Sequence, residues 1–291
     1  GRRGEYANVS APSGHNKTGN LLDAFVSFCI FNKPVLLDPE KKPLHVYTTI
    51  EDPVTEVIKK IYVLLQQHEH GIPISLRGVC PKEQAEYVSR KLTENGWNVK
   101  IVDFENGGSP FSYIAQLNSF IEQGYEIFSA GCDYVHLMGK SAIGHSNDAE
   151  NAKGLHRVIS DFTTPRDIFH YTAHQLSSEA RTEMRNYPDD FISRLVDKGF
   201  YEGSKTLNTE FGFEWYTAKI IKDGVAWQVF EWGKHRKLGA TDEKDKHFAV
   251  KYYPVGMIGY PYDLHLEKDL SYKKVGNRNT SGDGNEWSDF D

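Results

Sequence analysis

The stretch from Tyr6 to Ile30 constrains the fold most, because a strand-like run passes through a short loop directly into a helix-like run. The loop reads Ala11-Pro-Ser-Gly-His-Asn-Lys-Thr18. A helix N-terminus leaves backbone N–H groups unpaired and carries the positive end of the helix dipole, so this arrangement predicts a phosphate-binding loop. Lys17 would then reach the terminal phosphates, and the Thr18 hydroxyl would hold a magnesium ion.

Six consecutive loop residues are the candidate nucleotide-binding set. They are Ser13, Gly14, His15, Asn16, Lys17 and Thr18. The usual pattern is G-x-x-x-x-G-K-[ST], and Ala11 and Asn16 stand where it has glycine. Asparagine is one of the few other residues that tolerate left-handed backbone geometry, so we expect the loop to survive with a side chain crowding the nucleotide. The alternative interpretation is an ordinary small loop with one lysine at a helix start.

Strand and helix patterns alternate along the first two thirds of the chain, which predicts an α/β fold with a mostly parallel central sheet flanked by helices. The alternation then gives way to strands with short connections, so antiparallel strands are expected at the C-terminal edge. The predicted strands are Tyr6–Ser10, Leu44–Ile50, Trp97–Val102, Tyr125–Cys132, Asp167–Thr172, Phe211–Ile221, Val225–Trp232 and His247–Tyr253. The predicted helices are Thr18–Ile30, one from Pro53, one from Pro81, Pro110–Gln123 and Ala149–Phe162.

Composition excludes several classes of protein. The 291 residues are 25% charged and 13% aromatic, which is typical of a globular chain. The sequence contains no run of about eighteen apolar residues, so it predicts no membrane span. The net charge of −6 argues against a protein that coats nucleic acid over its whole surface. A local basic surface is still compatible with this net charge. Three widely spaced cysteines match no zinc pattern and suit a reducing compartment as small packed residues.

Several short motifs follow one another along the chain. Asp133-Tyr-Val-His-Leu-Met138 resembles the D-Y-L-Q-L-M run of the DnaB-type replicative helicases, and Ala173-His-Gln-Leu176 resembles that family's S-Q-L strand end. Val46-Tyr-Thr-Thr-Ile-Glu-Asp52 resembles a strand ending in S-L-E-M, and Gly233-Lys-His-Arg236 resembles a late K-x-R. The resemblance, closest to phage-encoded members, implies a RecA-like P-loop NTPase core over residues 1–275. It also implies a flexible tail over 276–291 and an amino-terminal primase- or loader-docking domain outside this chain.

The resemblance assigns roles to residues at strand ends. Asp133 would hold the same magnesium ion as Thr18, and Glu51 would orient the attacking water and accept its proton. Gln175 would sense the terminal phosphate. The alternatives without a catalytic role are that Glu51 is a surface residue, that Asp52 caps a helix and that Gln175 is a hydrogen-bonded polar residue at a strand end.

Other roles implied by the resemblance involve neighbouring molecules. Lys234 and Arg236 would enter the next subunit's site as a lysine partner and an arginine finger. The alternative for this pair is an exposed basic edge strand. Lys140, Arg181 and Arg185, in two loops facing a ring channel, would contact single-stranded DNA phosphates.

The leading hypothesis is therefore a ring-forming, expected hexameric, helicase motor acting on single-stranded DNA. It would use ATP or another NTP or dNTP with Mg²⁺, have primase or a helicase loader among its partners, have no membrane partner, and work in a bacterial or phage-infected cytoplasm. A second hypothesis keeps the same fold but assigns a different function, that of a RecA- or RadA-like recombinase that forms filaments. A degenerate, non-hydrolysing scaffold subunit is a third hypothesis, supported mainly by Asn16.

Overall fold

The computed structural model describes residues 2–72, 74, 80–187, 191–195, 198–235, 247–253, 256–263 and 268–269. The strands are β1 (Tyr6–Ala11), β2 (Lys42–Thr49), β3 (Asn98–Asp103), β4 (Tyr125–Asp133), β5 (Phe169–Gln175), β6 (Phe213–Lys222), β7 (Val225–His235), β8 (His247–Tyr253), β9 (Gly256–Asp263) and β10 (Lys268–Asp269). The α-helices are α1 (Lys17–Phe31), α2 (Val54–His70), α3 (Pro81–Thr93), α4 (Pro110–Glu122), α5 (Asp148–Thr163), α6 (Ser178–Asn186) and α7 (Phe191–Leu195). Single 3₁₀ turns cover Val135–Leu137, Lys140–Ile143, Thr164–Arg166 and Leu207–Glu210.

The described strands form one ten-stranded sheet in the order β3-β2-β4-β5-β1-β6-β7-β8-β9-β10. β1 to β5 run parallel to one another and β6 runs parallel to β1, whereas β7 to β10 add in antiparallel fashion. This confirms the predicted fold class. A turn at Asp223 and Gly224, both with positive φ, joins β6 to β7 and confirms the hairpin expected there.

Strand register decides where the chemistry lies. Ala11 at the end of β1 is paired with Gln175 at the end of β5, and Thr49 at the end of β2 is paired with Asp133 at the end of β4. Because these strands are parallel, their carboxyl ends meet at one edge of the sheet, where open α/β sheets bind ligands.

Two buried apolar layers cover the faces of the sheet. One is built on α1, α2 and α3, with Leu21, Leu22 and Phe25 fully buried, and the other on α4 and α5. Helix α4 begins with a side-chain cap, in which Ser109 Oγ accepts a hydrogen bond from the N–H of Phe111. No helix in the described part of the chain combines the length and apolar character that crossing a bilayer requires.

Packing is dense around β4, and one expectation about the cysteines needs correction. The Tyr171 ring occupies the space where a Gly131 side chain would stand. Ser129 is satisfied by a 2.7 Å hydrogen bond with His45 Nδ1. Cys29 and Cys132 are small packed residues as expected, whereas Cys80 is exposed because it precedes the first turn of α3.

Candidate nucleotide-binding site

The loop between β1 and α1 has the backbone shape that its sequence predicts. Asn16 has φ 65° and ψ 35°, the left-handed conformation, and its carbonyl accepts the first helical hydrogen bond from the N–H of Asn20 at 3.0 Å. Gly14 also has positive φ, at 79°. Ser13 and Gly14 are exposed, so the loop backbone is open to a ligand. The Asn16 side chain is less comfortable, because its amide nitrogen is buried without a hydrogen-bond partner among the described residues.

His15 ties this loop to the antiparallel part of the sheet. Its Nδ1 accepts from the N–H of Lys219 on β6 at 3.0 Å, and its carbonyl accepts from Gln228 Nε2 on β7 at 3.3 Å. Burial, with the charges of Lys219, Lys17 and Arg181, lowers the pKa of His15 to about 4. A neutral ring can keep accepting at Nδ1, so the attachment persists at physiological pH.

Lys17 lies among the residues that the sequence assigns to one site. Its Nζ is 3.5 Å from Gln175 Oε1 and 5.9 Å from the centroid of the Tyr134 ring. Burial lowers the pKa of Lys17, and the charges of Asp133, Glu51 and Glu202 oppose that effect. A half-buried amine at a helix start, with no ion pair within the described residues, is suited to receive a polyanion.

Asp133 is the most perturbed acid of the site. It is 1% exposed, and neither carboxylate oxygen meets hydrogen-bond geometry with any described residue. Burial, aided by the charges of Glu51 and Asp52, raises the pKa of Asp133 to about 6, and the nearby Thr18 hydroxyl opposes the shift. A buried carboxylate without a partner beside a hydroxyl fits magnesium, which takes hard oxygen ligands.

The small number of acidic and metal-binding side chains near Asp133 is also compatible with magnesium. Within the described residues, no group of three or more His, Cys, Asp or Glu side chains converges to hold a metal by itself. Mg²⁺ sites commonly use one or two protein oxygens and complete their shell with phosphate and water, so Thr18 and Asp133 suffice as protein ligands.

Glu51 and Asp52 follow β2 but differ in their surroundings. The N–H of Ile50 bonds to the Asp133 carbonyl at 3.1 Å, which places both acids beside the end of β4. The Asp52 carboxylate is engaged by Lys60 and does not cap α2. The Glu51 side chain is exposed, which leaves it available to a water molecule.

Lys234 lies away from this cluster. It is paired with Glu214 on β6, which is paired with Asn8, three residues before the end of β1. The Lys234 Nζ donates to the Asn208 carbonyl at 2.8 Å. Arg236 and the tail over 276–291 lie outside the described residues.

The candidate DNA contacts lie in two elements, and Arg181 and Arg185 are on helix α6 rather than in the loop expected there. Lys140 Nζ is 3.2 Å from His136 Nε2, beyond the end of β4. Arg181 and Arg185 are exposed on α6, but the charge of Arg181 acts on His15 and Lys17, which places it beside the phosphate-binding loop.

Sequence reasoning missed a buried acid behind the site. Glu214 is 1% exposed and accepts from Ser10 Oγ at 2.8 Å, Asn8 Nδ2 at 3.2 Å and Tyr201 OH at 2.8 Å. Burial raises the pKa of Glu214 to about 7 against these hydrogen bonds. The only signal in the sequence was the polar character of Asn8 and Ser10 within a central strand.

Comparisons with known proteins identify the family and the fold. A family model described as "Divergent DnaB-like ATPase" matches residues 1–284. No curated protein sequence matches the chain. One solved structure, of an isolated ATPase domain, superposes with a TM-score of 0.64 at 12% identity, covering 89% of this chain and 86% of that one.

A second solved structure is titled "The Structure Of A DnaB-Like Replicative Helicase And Its Interactions With Primase". It superposes with a TM-score of 0.63 at 13% identity over 88% of this chain. This chain spans only 57% of that longer protein. At such identities the two likenesses establish a shared fold.

Proposed function

The chain belongs to the divergent DnaB-like ATPases, and from that membership we propose that it is an NTP-hydrolysing motor that forms a ring on single-stranded DNA and unwinds duplex at a replication fork. The observation that carries the proposal is the meeting of four strand ends at one edge of the sheet. That edge brings Lys17, Gln175, Asp133 and Glu51 together beside an open loop backbone.

Hydrolysis at such a site is mostly positioning and charge neutralisation. Lys17 and the loop N–H groups would bind the phosphates, and Thr18 and Asp133 would hold Mg²⁺. When bound, this ion would neutralise charge on the phosphate oxygens. Exposed Glu51 would accept the proton of the attacking water, and Gln175, already against Lys17, would lie where the terminal phosphate arrives.

The proposed ring, expected to be a hexamer, would complete each site with residues of a neighbour. The Lys234 amine bonds to the Asn208 carbonyl rather than to any residue of the phosphate-binding loop, which suits a residue that serves another chain. Arg236 would be the arginine finger, and such a residue supplied in trans increases turnover by roughly 10³ to 10⁵ in related NTPases.

Single-stranded DNA is the proposed track. Lys140, Arg181 and Arg185 are the candidate phosphate contacts, and binding through them would be independent of sequence and sensitive to salt. Primase or a helicase loader is the proposed protein partner, in keeping with the primase interaction named for the second structural neighbour.

The test is NTP turnover by the purified chain with Mg²⁺, with and without single-stranded DNA. We expect DNA-stimulated turnover that Lys17→Ala abolishes. Lys33→Ala is the matched control, because Lys33 is an exposed lysine just beyond the same helix. Turnover that survives Lys17→Ala would contradict the assignment of the phosphate-binding loop.

A non-hydrolysing scaffold subunit is the second candidate, because the unpartnered Asn16 amide crowds the loop. Nucleotide binding without turnover in the unaltered chain would favour it. The left-handed geometry of Asn16 weakens this candidate, since the loop keeps the backbone that glycine would give.

A further inference from the structure

The segment after β5 returns to the edge of the sheet where Lys17 lies. Leu176 and Tyr201 form an antiparallel bridge. The N–H of Ser177 bonds to the Phe200 carbonyl at 2.7 Å, and the N–H of Glu202 bonds to the Gln175 carbonyl at 3.1 Å. Residues 200–202 therefore form a short partner strand for the residues that follow the phosphate-sensing position.

Tyr201 and Glu202 face opposite ways on this short strand. Tyr201 is 3% exposed, and its hydroxyl donates to Glu214 Oε2 at 2.8 Å. Glu202 is exposed, and its carboxylate makes no hydrogen bond or ion pair within the described part of the chain. Its backbone, however, is held on both sides, because His174 Nε2 donates to the Glu202 carbonyl at 2.8 Å.

Glu202 lies beside the site, because its N–H bonds to the carbonyl of Gln175, whose Oε1 is 3.5 Å from Lys17 Nζ. In keeping with this position, its negative charge favours the ammonium of Lys17 and disfavours ionisation of the Tyr134 phenol. Asp133 and Glu51 also act on Lys17, but each has a role with metal or water that a negative charge serves. Glu202 has no such role, and a bound polyanion would meet it as a like charge.

We propose that Glu202 is a positioning residue that distinguishes nucleotide states by repelling the terminal phosphate. The inference rests on the proposed nucleotide site. A triphosphate would draw Lys17 away from the Glu202 carboxylate and leave two like charges facing each other, whereas a diphosphate lacks the group nearest to Gln175. Because the Glu202 backbone is bonded to Gln175 and His174, the charge is held beside the position where the terminal phosphate would arrive.

The experiment compares Mg²⁺-dependent affinities of a fluorescent non-hydrolysable ATP analogue and of the corresponding ADP analogue. Glu202→Gln should bind the triphosphate more tightly by roughly fivefold and the diphosphate unchanged, because one like-charge contact near a surface has been removed. The gain should shrink at high salt. Glu202→Asp keeps the charge and should keep the ratio of the unaltered chain.

Glu179→Gln is the matched control, because Glu179 is an exposed glutamate on α6 whose charge is not among those acting on Lys17. An unchanged triphosphate-to-diphosphate ratio in Glu202→Gln, or weaker triphosphate binding, would overturn the inference and leave the nucleotide site standing. Failure of the unaltered chain to bind either analogue would overturn the proposed function and this inference together.

Discussion

Replacing Asp133 with asparagine should stabilise the ligand-free protein and remove its response to Mg²⁺-nucleotide. The carboxylate is 1% exposed, and both of its oxygens lack hydrogen-bond partners in the described structure. A buried charge without partners destabilises the fold, whereas a neutral amide of the same shape has a smaller desolvation cost. The residue is therefore retained at the expense of stability, as active-site residues often are.

The magnitude follows from the pKa of Asp133, which burial raises from 3.8 to about 6. Since the folded state keeps its proton to higher pH than the unfolded state, stability is lost as pH rises through this window. A shift of about 2 units corresponds to about 3 kcal/mol at pH 8, and about half of that at pH 5. The loss of a favourable charge next to Lys17 offsets part of the gain, so the expected net stabilisation at pH 8 is about 1–3 kcal/mol.

Urea unfolding of the ligand-free protein at pH 8 and pH 5 measures the effect, and the difference between variants cancels other titrating groups. Asp103→Asn is the matched control, because Asp103 also ends a parallel strand, β3 on the other side of β2, but is exposed. Mg²⁺-ATP should raise the thermal midpoint of the unaltered chain and leave that of Asp133→Asn unmoved. If Asp133→Asn is less stable than the unaltered chain at pH 8 while Asp103→Asn is neutral, the reasoning from burial is refuted.

The remaining predictions concern the loop, two buried titrating groups and the neighbour-directed lysine. Asn16→Ala should lower the free energy of unfolding by about 1 kcal/mol and Asn16→Gly should not, because alanine is strained at φ 65°; equal urea midpoints would contradict this. Burial raises the pKa of Glu214 to about 7, so the free energy of unfolding of the protein should fall as pH rises from about 4.5 to 7. Glu214→Gln should remove this pH dependence in urea titrations. His170 has a pKa lowered to about 3 by burial, so stability falls as pH drops below about 6.5, and His170→Phe should flatten the acid limb of the thermal midpoint. Turnover per chain should increase with protein concentration, and Lys234→Ala should reduce turnover without changing nucleotide affinity; a rate per chain that is independent of concentration would argue against completion of the site by a neighbour.

Periodicity and strand-end logic were enough to predict the parallel half of the sheet. Alternating apolar positions predicted β1 to β8 and α1 to α5 within a few residues, because each pattern reflects burial of one local face. The short helices α6 and α7 and the strands β9 and β10 were not predicted. Parallel strands share a ligand-binding edge, so the meeting of Lys17 with Asp133 and Gln175 followed once the order of elements was right. The left-handed backbone of Asn16 was also predictable, because the position is glycine in the usual loop pattern and asparagine is one of the few other residues that adopt this conformation.

What the sequence did not reveal depends on contacts between distant parts of the chain. His15 bonds to β6 and β7 residues more than two hundred positions away, and no local pattern marks such a pair. Glu202 reaches the site only because the segment after β5 doubles back to pair with Leu176. Glu214 is buried because three donors from separate elements surround it. Non-local polar contacts of this kind are specified by tertiary packing rather than by periodicity.

The position of Lys234 bears on how the proposed motor could be completed. Its cross-strand partner Glu214 is level with Asn8, so Lys234 lies about three strand residues, roughly 10 Å, before the end of β1. Its amine bonds to the Asn208 carbonyl, and the chain near Asn208 bonds back to Tyr6 through the N–H of Gly212 at 2.9 Å, which fixes the lysine to the edge where β1 begins. The Lys234 amine is thus engaged on the side of the sheet away from the phosphate-binding loop. We therefore expect any nucleotide that Lys234 serves to be bound to another chain, with the surface around Asn208 facing that neighbour's site.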